Sequence, residues 1–433
     1  MIATVTWRRC ASLLCFDVDL ERVADVVGIH LDEASGRHLW REWLPAPAVT
    51  LEQALRTAGR QMGVVTVSAA EQVVGPARIA EIGEGISQDE LQLAGRNHGM
   101  PLEAMRYDVT PIGLHYLLIH YDIPDVDPTA WHLHVGGVVE SPFTVDLDTI
   151  RAMPRTTRRV TIECAGNGRA RLLPRPVSQP WLVEAVGNAE WTGTPLAPLL
   201  RRAAPTSAAR EVVFTGSDHG VERGVEQTYQ RSLSLADAYG DDVLLVYEMN
   251  GAPLPPQHGF PLRLLVPGWY GMAHVKWLTD ITVIDSAFTG FQQEVAYQLR
   301  VDPHEPGVPV TRMEPRALLI PPGWPDFMTR ARFLHPGPVS LRGRAWSGYA
   351  PITTIEVSSD GGRTWHLATV DSNAPRWDWC AWTWVWEARP GQHTLCVRAS
   401  DASGRRQPTE QLWNRGGFAN NTIQQVPVVV LEE

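Results

Sequence analysis

A chain of 433 residues is too long for one ordinary hydrophobic core, so its length predicts two or three domains. Hydrophobic residues make up 44% of the chain and charged residues 20%, a balance that excludes an intrinsically disordered protein. The formal net charge of −10 argues against nucleic acid or an anionic membrane surface as a main partner.

Residues 1–88 are predicted to form an N-terminal extension whose role the sequence does not define. Helical spacing of apolar residues predicts helices over 20–30, 39–44 and 51–58. Arg8-Arg9 ahead of a short apolar run resembles a twin-arginine signal, but Asp17 and Asp19 interrupt that run. We therefore expect a cytoplasmic protein, with the periplasm as the alternative. No apolar run of about 18 residues is present, so we expect no membrane span.

Residues 89–305 mix short strands with helices and predict an α+β domain. Apolar, β-branched runs predict strands over 117–121, 133–139, 160–164, 211–214 and 262–266, and 195–203 predicts a helix. The proline-rich stretch 301–325 has no clear period and predicts a linker.

Residues 306–433 carry strand signals only. Asp360-Gly361-Gly362 between two predicted strands predicts a hairpin turn, and Trp382, Trp384 and Trp386 occupy alternate positions, as in a strand. Several short strands over about 110 residues predict an all-β, immunoglobulin-like sandwich.

Cys164 is the residue of greatest chemical interest. It ends a predicted strand and begins the turn Ala165-Gly166-Asn167-Gly168, where backbone can approach a ligand closely. Four flanking cations, Arg158, Arg159, Arg169 and Arg171, favour its thiolate form. A buried structural cysteine, a nucleophile and one ligand of a metal otherwise held by a cofactor all fit this pattern. No Cys-x-x-Cys pair is present, which disfavours a zinc ribbon and covalent c-type haem.

Further cations lie on predicted loops around this cysteine. They occur in Arg96-Asn97-His98, in His258 to Arg263 and in His274-Val275-Lys276. Three histidines, two arginines and one lysine on loops near one cysteine predict an anionic cofactor that carries a phosphate group.

The order of these motifs resembles the molybdenum-binding domain of the sulfite oxidase family over about residues 90–290. The tail, with Val357-Ser358-Ser359-Asp360-Gly361-Gly362, resembles that family's C-terminal dimerisation domain. The His-Pro-Gly-Gly signature of a cytochrome b5 domain is missing from the sequence. The motifs that carry the resemblance are Arg96-Asn97-His98, Ile162-Glu163-Cys164-Ala165-Gly166-Asn167, Tyr247-Glu248-Met249-Asn250-Gly251, His258-Gly259-Phe260-Pro261 and Val275-Lys276-Trp277-Leu278.

The resemblance implies one molybdenum per chain, held by a molybdopterin and by the Cys164 thiolate. It places Arg96, Arg169, Trp181 and the phenol of Tyr229 in the substrate pocket. The implied cofactor contacts are Ala94, Gly95, Arg96, Asn97, His98, Asp218, His258, Arg263, His274, Val275 and Lys276.

The implied activity is oxidation of sulfite to sulfate by oxygen-atom transfer. The electrons would pass to a separate acceptor such as a cytochrome, or to oxygen, because the chain carries no haem motif. Other possibilities are another sulfur compound, a sulfoxide or nitrate as substrate, and a non-catalytic relative without the cofactor. The resemblance also implies a homodimer formed by the C-terminal domain.

Two departures from the family pattern bear on the pocket charge. An arginine is missing from Gly271-Met272-Ala273-His274, and in Trp413-Asn414-Arg415-Gly416 the arginine is shifted by one position. Arg415 therefore either reaches the pocket mouth or has been lost as a substrate contact.

Overall fold

The computed structural model describes residues 6–10, 13–17 and 78–432. The chain divides into two compact units, Met1–Gln72 and Val73–Glu433. In the smaller unit, strands β1 (Thr6–Cys10) and β2 (Leu13–Asp17) pair antiparallel, with Trp7 opposite Phe16. The helices predicted over 20–30, 39–44 and 51–58 lie outside the described residues. Within the described ranges, no helix is long and apolar enough to cross a membrane.

The first part of the larger unit contains two five-stranded sheets. In one, the order is β10-β9-β6-β5, and β11 pairs with β9; all of its pairs are antiparallel. Its strands are β5 (Thr156–Glu163), β6 (Val186–Pro195), β9 (Leu244–Met249), β10 (Ala252–Pro253) and β11 (Arg263–Leu265).

The other sheet has the order β4-β3-β12-β7-β8, and its only parallel pair joins β12 to β3. Its strands are β3 (His132–Gly137), β4 (Phe143–Asp146), β7 (Glu211–Glu222), β8 (Val225–Ser234) and β12 (Leu278–Ile284). The predicted strands at 133–139, 160–164, 211–214 and 262–266 are thus confirmed, although β5 begins earlier, at Thr156, and β7 continues to Glu222.

Four short α-helices connect and cover these sheets: α1 (Gln88–Arg96), α2 (Leu147–Ala152), α3 (Leu196–Ala203) and α4 (Leu235–Ala238). The Ser87 hydroxyl caps α1 and Glu90 closes a capping box. Glu90 is itself buried and forms an ion pair with Arg175, which fixes α1 to the loop after β5. The helix predicted at 195–203 is confirmed as α3.

Residues 316–430 form an all-β domain of two stacked sheets, as predicted. One sheet has the order β15-β18-β22-β21 and the other β16-β17-β24-β23-β19-β20. Leu341, Trp382 and Trp386 from the first sheet meet Val357 and Val397 from the second in a shared core. The strands are β15 (Arg316–Leu319), β16 (Trp324–Pro325), β17 (Arg332–Leu334), β18 (Gly337–Trp346), β19 (Ile352–Ser358), β20 (His366–Leu367), β21 (Thr369–Val370), β22 (Cys380–Ala388), β23 (Gly391–Asp401) and β24 (Gln424–Val430). A small pair, β13 (Gln298–Leu299) and β14 (Val308–Pro309), precedes this domain.

Two sequence predictions are wrong. The stretch 301–325, predicted as a linker, contains β15, whose four residues are all buried. A strand buried on both faces shows no alternation, so its period could not be recognised. The segment 117–121, predicted as a strand, forms only one bridge, between Leu117 and His98. Its next backbone groups bind side chains instead, since Lys276 Nζ donates to Leu118 O and Ile119 N donates to Asn97 Oδ1.

Candidate active site

A pocket opens where the end of β5 meets the extended segment 115–120 and the loop 271–276. With its open mouth it holds about 630 Å³ of space free of protein atoms, within the usual range for a small-molecule site. Seven residues predicted for the site lie in its lining: Cys164, Asp218, Tyr229, His258, Arg263, His274 and Lys276. The remaining lining residues are His115, Tyr116, Leu117, Leu118, His120, Ile162, Ala165, Gly271, Met272 and Tyr297.

Cys164 lies directly after β5 and is almost fully buried, with a free thiol. Its N–H donates to Ala185 O at 2.9 Å, which continues the β5–β6 pairing by one residue. Burial raises the pKa of the Cys164 thiol, while Arg169, the Gly166 backbone and Trp181 oppose that rise. A bound cation is therefore needed to hold the thiolate form, as a metal would.

Only one of the four flanking arginines predicted to favour the thiolate acts on it markedly. Arg158 and Arg159 lie in the more exposed first half of β5 and pair with Asp242 and Glu190, both at 3.0 Å. Arg169 is buried, and a Cβ on Gly166 would lie 2.7 Å from its guanidinium carbon. The Arg169 guanidinium thus packs directly against Gly166, and a side chain at this position would have to displace it.

Arg169 is held by neutral groups. Its Nε donates to Gly416 O at 2.9 Å, its Nη1 donates to Gln179 O at 3.4 Å, and its guanidinium lies 4.9 Å from the Phe418 ring. Within residues 78–432, no carboxylate forms an ion pair with it. Burial lowers the pKa of Arg169. A buried guanidinium without a counter-charge is suited to bind an anion.

The loop 414–420 of the C-terminal domain contacts the Cys164 turn directly. Ala419 N donates to Ala165 O at 2.8 Å and Asn420 Nδ2 donates to Gly168 O at 2.9 Å. The Asn414 side chain closes the loop by bonding both the N–H and the C=O of Phe418. Both domains therefore build the surroundings of Cys164.

A second interdomain contact involves Glu163, the neighbour of Cys164. Its Oε1 lies 3.0 Å from Arg316 Nε, and both side chains are 1–2% exposed. Its Oε2 accepts from Trp346 Nε1 at 2.8 Å, and its Oε1 also accepts from Asn167 Nδ2 at 3.0 Å. Arg316 lies in β15 and Trp346 in β18, so the ion pair joins the end of β5 to the C-terminal domain.

The other part of the pocket is rich in cations. Arg263 donates to His258 O and His274 O, and Lys276 donates to Leu118 O and Gln257 O. Burial lowers the pKa of Arg263 to about 10 and that of Lys276 to about 7. The one carboxylate in the lining, Asp218, has its pKa raised to about 6 by burial. An anionic ligand would relieve this excess of buried positive charge.

The histidines in the lining are neutral. Burial lowers the pKa to about 4 for His115, 3 for His120, 2 for His258 and 3 for His274. Both ring nitrogens of His274 bind backbone: Nδ1 accepts from Val266 N and Nε2 donates to Trp269 O, each at 3.2 Å. His274 therefore shapes the wall and leaves no ring nitrogen free for a ligand.

Several buried polar atoms in the pocket lining lack a hydrogen-bond partner: His115 Nε2, Asp218 Oδ1 and Arg263 Nε. Such atoms are rare in native proteins and indicate an absent polar ligand. Within the described ranges, no three His, Cys, Asp or Glu side chains converge to hold a metal ion. The donor set thus fits a group with its own metal ligands and a phosphate, to which this chain adds one soft thiolate.

The predicted residues 94–98, Arg169, Trp181 and Val275 are not among the residues that line the pocket. Arg96 is exposed at the end of α1 and donates to Tyr121 O. Asn97 is buried, and its side chain bonds Leu93 O, Gln179 Oε1 and Ile119 N, so it positions the wall segment. Val275 packs in the hydrophobic core of the first domain.

Two residues that the sequence analysis missed lie at the Cys164 end of the pocket. Tyr297 Oη and His120 Nε2 are 2.7 Å apart, and the charges of Cys164 and Arg169 both act on Tyr297. The hydroxyl of Tyr229, the phenol chosen from sequence, donates to Met272 O at 2.7 Å. Two His-Tyr pairs on one short segment, His115-Tyr116 and His120-Tyr121, were the available signal for His120.

Comparison with known proteins places this geometry in context. Residues 120–292 match the oxidoreductase molybdopterin binding domain, and residues 318–430 match the Mo-co oxidoreductase dimerisation domain. The first match begins downstream of Arg96-Asn97-His98 and includes the wall residue His120.

Relatives of known activity include two kinds of enzyme. The chain is 30% identical to human mitochondrial sulfite oxidase over 347 residues, which cover 74% of this chain and 62% of that protein. It is 28% identical to a nitrate reductase of Phaseolus vulgaris, over 75% of this chain. This chain spans about 40% of the length of that nitrate reductase.

Among solved structures, the sulfane dehydrogenase SoxCD from Paracoccus pantotrophus shares the fold. The TM-score is 0.66 at 24% identity, and the match covers 86% of this chain and 95% of that one. Together with the two domain matches and the single pocket thiol, these similarities show that the chain belongs to the sulfite oxidase family of molybdopterin-binding oxidoreductases.

Proposed function

We propose that this protein is a molybdenum-dependent oxidoreductase that transfers an oxygen atom to or from a small substrate. The observation that carries the proposal is the buried Cys164 thiol, which lines a pocket with buried polar atoms that lack partners and lies close to a guanidinium without a counter-charge. A protein that had lost its cofactor would have no reason to keep these costly groups buried.

Each part of the site has a distinct role in this proposal. The Cys164 thiolate would hold the molybdenum, and Arg263, Lys276 and the partnerless His115 Nε2 would bind the phosphate and pterin of the cofactor. The bound cofactor would supply the two-electron oxygen-atom chemistry. Arg169 would attract and orient an anion beside Cys164, and the buried walls would exclude bulk water.

Sulfite is the leading substrate. Its oxidation consumes water and yields sulfate, two protons and two electrons, so a separate acceptor such as a cytochrome, or oxygen, must take the electrons. Nitrate is the second candidate, because plant nitrate reductases are about as similar to this chain as human sulfite oxidase is. The nitrate reaction runs in the opposite sense, with two electrons and two protons consumed to form nitrite and water.

We also propose that residues 306–433 form an immunoglobulin-like dimerisation domain after a cofactor domain at 89–305. The strand order supports this: β15, β18, β22 and β21 follow the order A, B, E and D, and β24, β23 and β19 follow G, F and C. Trp324, Phe327 and Met328 are 47%, 84% and 81% exposed on the edge of the six-stranded sheet. Apolar exposure of this kind is typical of a surface that a second copy covers.

The test compares Cys164→Ser with Cys396→Ser, the same change at a buried free cysteine in the C-terminal domain. Mutation of a residue that only hydrogen-bonds a metal ligand already lowers metal affinity or activity about 10–100-fold. Loss of the ligand itself should therefore lower turnover by more than about 100-fold. Elemental analysis, absorption spectra and turnover of sulfite with ferricyanide, and of nitrate with reduced methyl viologen, are the measurements. Absence of molybdenum from the wild-type protein, or equal activity of the two variants, would contradict the proposal.

A further inference from the structure

Three tyrosines line the pocket, and their hydroxyls differ in whether they are already hydrogen-bonded. The Tyr229 hydroxyl donates to Met272 O at 2.7 Å, and the Tyr297 hydroxyl lies 2.7 Å from His120 Nε2. The hydroxyl of the third, Tyr116, makes no hydrogen bond to any residue that the structure describes. Since this oxygen is not sealed in the interior either, it borders the open space of the pocket and remains available to a ligand.

The Tyr116 hydroxyl lies beside the last residues of β5. A Cβ added to Gly271 would be 2.3 Å from this oxygen, 3.3 Å from Glu163 O and 3.5 Å from Ile162 Cγ2. The ring of Tyr116 belongs to the same buried apolar cluster as Ile162 and Cys164. The available hydroxyl is therefore located at the Cys164 end of the pocket.

The chemistry of this hydroxyl is that of a hydrogen-bond donor. Burial and the negative charge of a Cys164 thiolate both raise the pKa of the Tyr116 hydroxyl well above its ordinary value, so it keeps its proton at neutral pH. A hydrogen bond to a charged acceptor is roughly twice as strong as one between neutral groups, so an oxyanion gains most from such a donor. Arg415, whose contact with a substrate the sequence left open, does not line the pocket.

We propose that Tyr116 is the tyrosine that donates a hydrogen bond to an oxyanion substrate beside Cys164, while Tyr229, the phenol chosen from the sequence, holds the loop 271–276 through Met272 O. This inference rests on the proposed function and adds a substrate-binding residue to it. Gly271 is part of the same arrangement, because a side chain there would occupy the position of the Tyr116 hydroxyl.

Binding without turnover gives the first test, with sulfate and nitrate titrated by calorimetry into the molybdenum-loaded protein. We expect Tyr116→Phe to weaken oxyanion binding by on the order of 10-fold or more, and Tyr229→Phe to weaken it clearly less. Tyr247→Phe changes a buried tyrosine outside the pocket lining and should bind as the wild type does. A larger loss in Tyr229→Phe than in Tyr116→Phe, or no binding of either anion to the wild type, would overturn the inference.

A double-mutant cycle with Gly271→Ala separates the hydroxyl from a general effect on the fold. The added methyl group displaces the Tyr116 hydroxyl, so Gly271→Ala alone should also weaken oxyanion binding. In the Tyr116→Phe background the oxygen is gone, and the same change should weaken binding little further. Additive losses would contradict the assignment of the hydroxyl.

Molybdenum content and turnover of sulfite and nitrate, measured on the same samples, separate this inference from the proposed function. An active wild type with molybdenum, whose Tyr116→Phe variant binds both anions as tightly, would refute the inference and leave the proposed function intact. A wild type without molybdenum and without turnover of either substrate would refute both.

Discussion

Replacing Glu163 by glutamine removes one charge from the buried contact that joins Cys164 to the C-terminal domain. Arg316 then remains 2% exposed without a counter-charge, and Trp346 Nε1 loses a charged acceptor. Leaving one partner of a buried ion pair alone costs about 3–5 kcal/mol. The chain offers a matched control in Arg159 and Glu190, whose Nε and Oε1 are also 3.0 Å apart but whose side chains are about 40% exposed. Glu190→Gln should cost less than about 1 kcal/mol.

Urea unfolding followed by tryptophan fluorescence measures both variants against the wild type. The arginine Nε and the glutamate Oε1 are 3.0 Å apart in both ion pairs, so the difference in unfolding free energy between the two variants reports the effect of burial. We expect Glu163→Gln to be less stable than Glu190→Gln by about 2–4 kcal/mol. Equal losses in the two variants would refute the view that this ion pair holds the two domains together.

Two further predictions concern pH and assembly. The pKa values of His115, His120, His258 and His274 are about 2–4 in the fold and rise to about 6.5 on unfolding, so the unfolded chain binds more protons below pH 6.5. Stability should therefore fall as the pH drops from about 6.5 to 5; a constant free energy of unfolding across that window would contradict this. For assembly, light scattering should give a dimer mass for the wild type and a monomer mass for Phe327→Asp, whereas Val221→Asp, at an exposed position in the first domain, should remain dimeric. A monomeric wild type would refute the dimer.

Local patterns in the sequence were enough to locate the thiol and much of the cation cluster. A β-branched run ending at Cys164, followed by glycines, predicts a strand and a tight turn, and β5 and its turn follow that pattern. His258, Arg263 and Lys276 lie in or beside short strands and turns that the sequence indicates clearly. The positions of these side chains depend mainly on residues close to them in the sequence, which is why local patterns predict them.

The residues that sequence reasoning missed are brought together by long-range contacts. His120 and Tyr297 are 177 positions apart, and their hydrogen bond depends on packing of segments that have no local signal. The position of Arg415 depends on a backbone bond to Arg300, more than 100 residues earlier. Alternation in the sequence predicts a strand at Trp382 and Trp386 but not what covers it; both fill the core between the sheets because their side chains point inward in β22.

Because of the loop 414–420, the two domains cannot be exchanged independently of each other. Each domain matches a different domain family, yet Gly416 and Phe418 of the C-terminal domain position Arg169 of the first domain. A chimera that exchanged the C-terminal domain for that of a relative would alter the surroundings of Arg169, even if all of the sequence 89–305 were retained. Recombination between such domains should preserve activity only where the new loop again supplies a carbonyl for the guanidinium and an aromatic ring beside it.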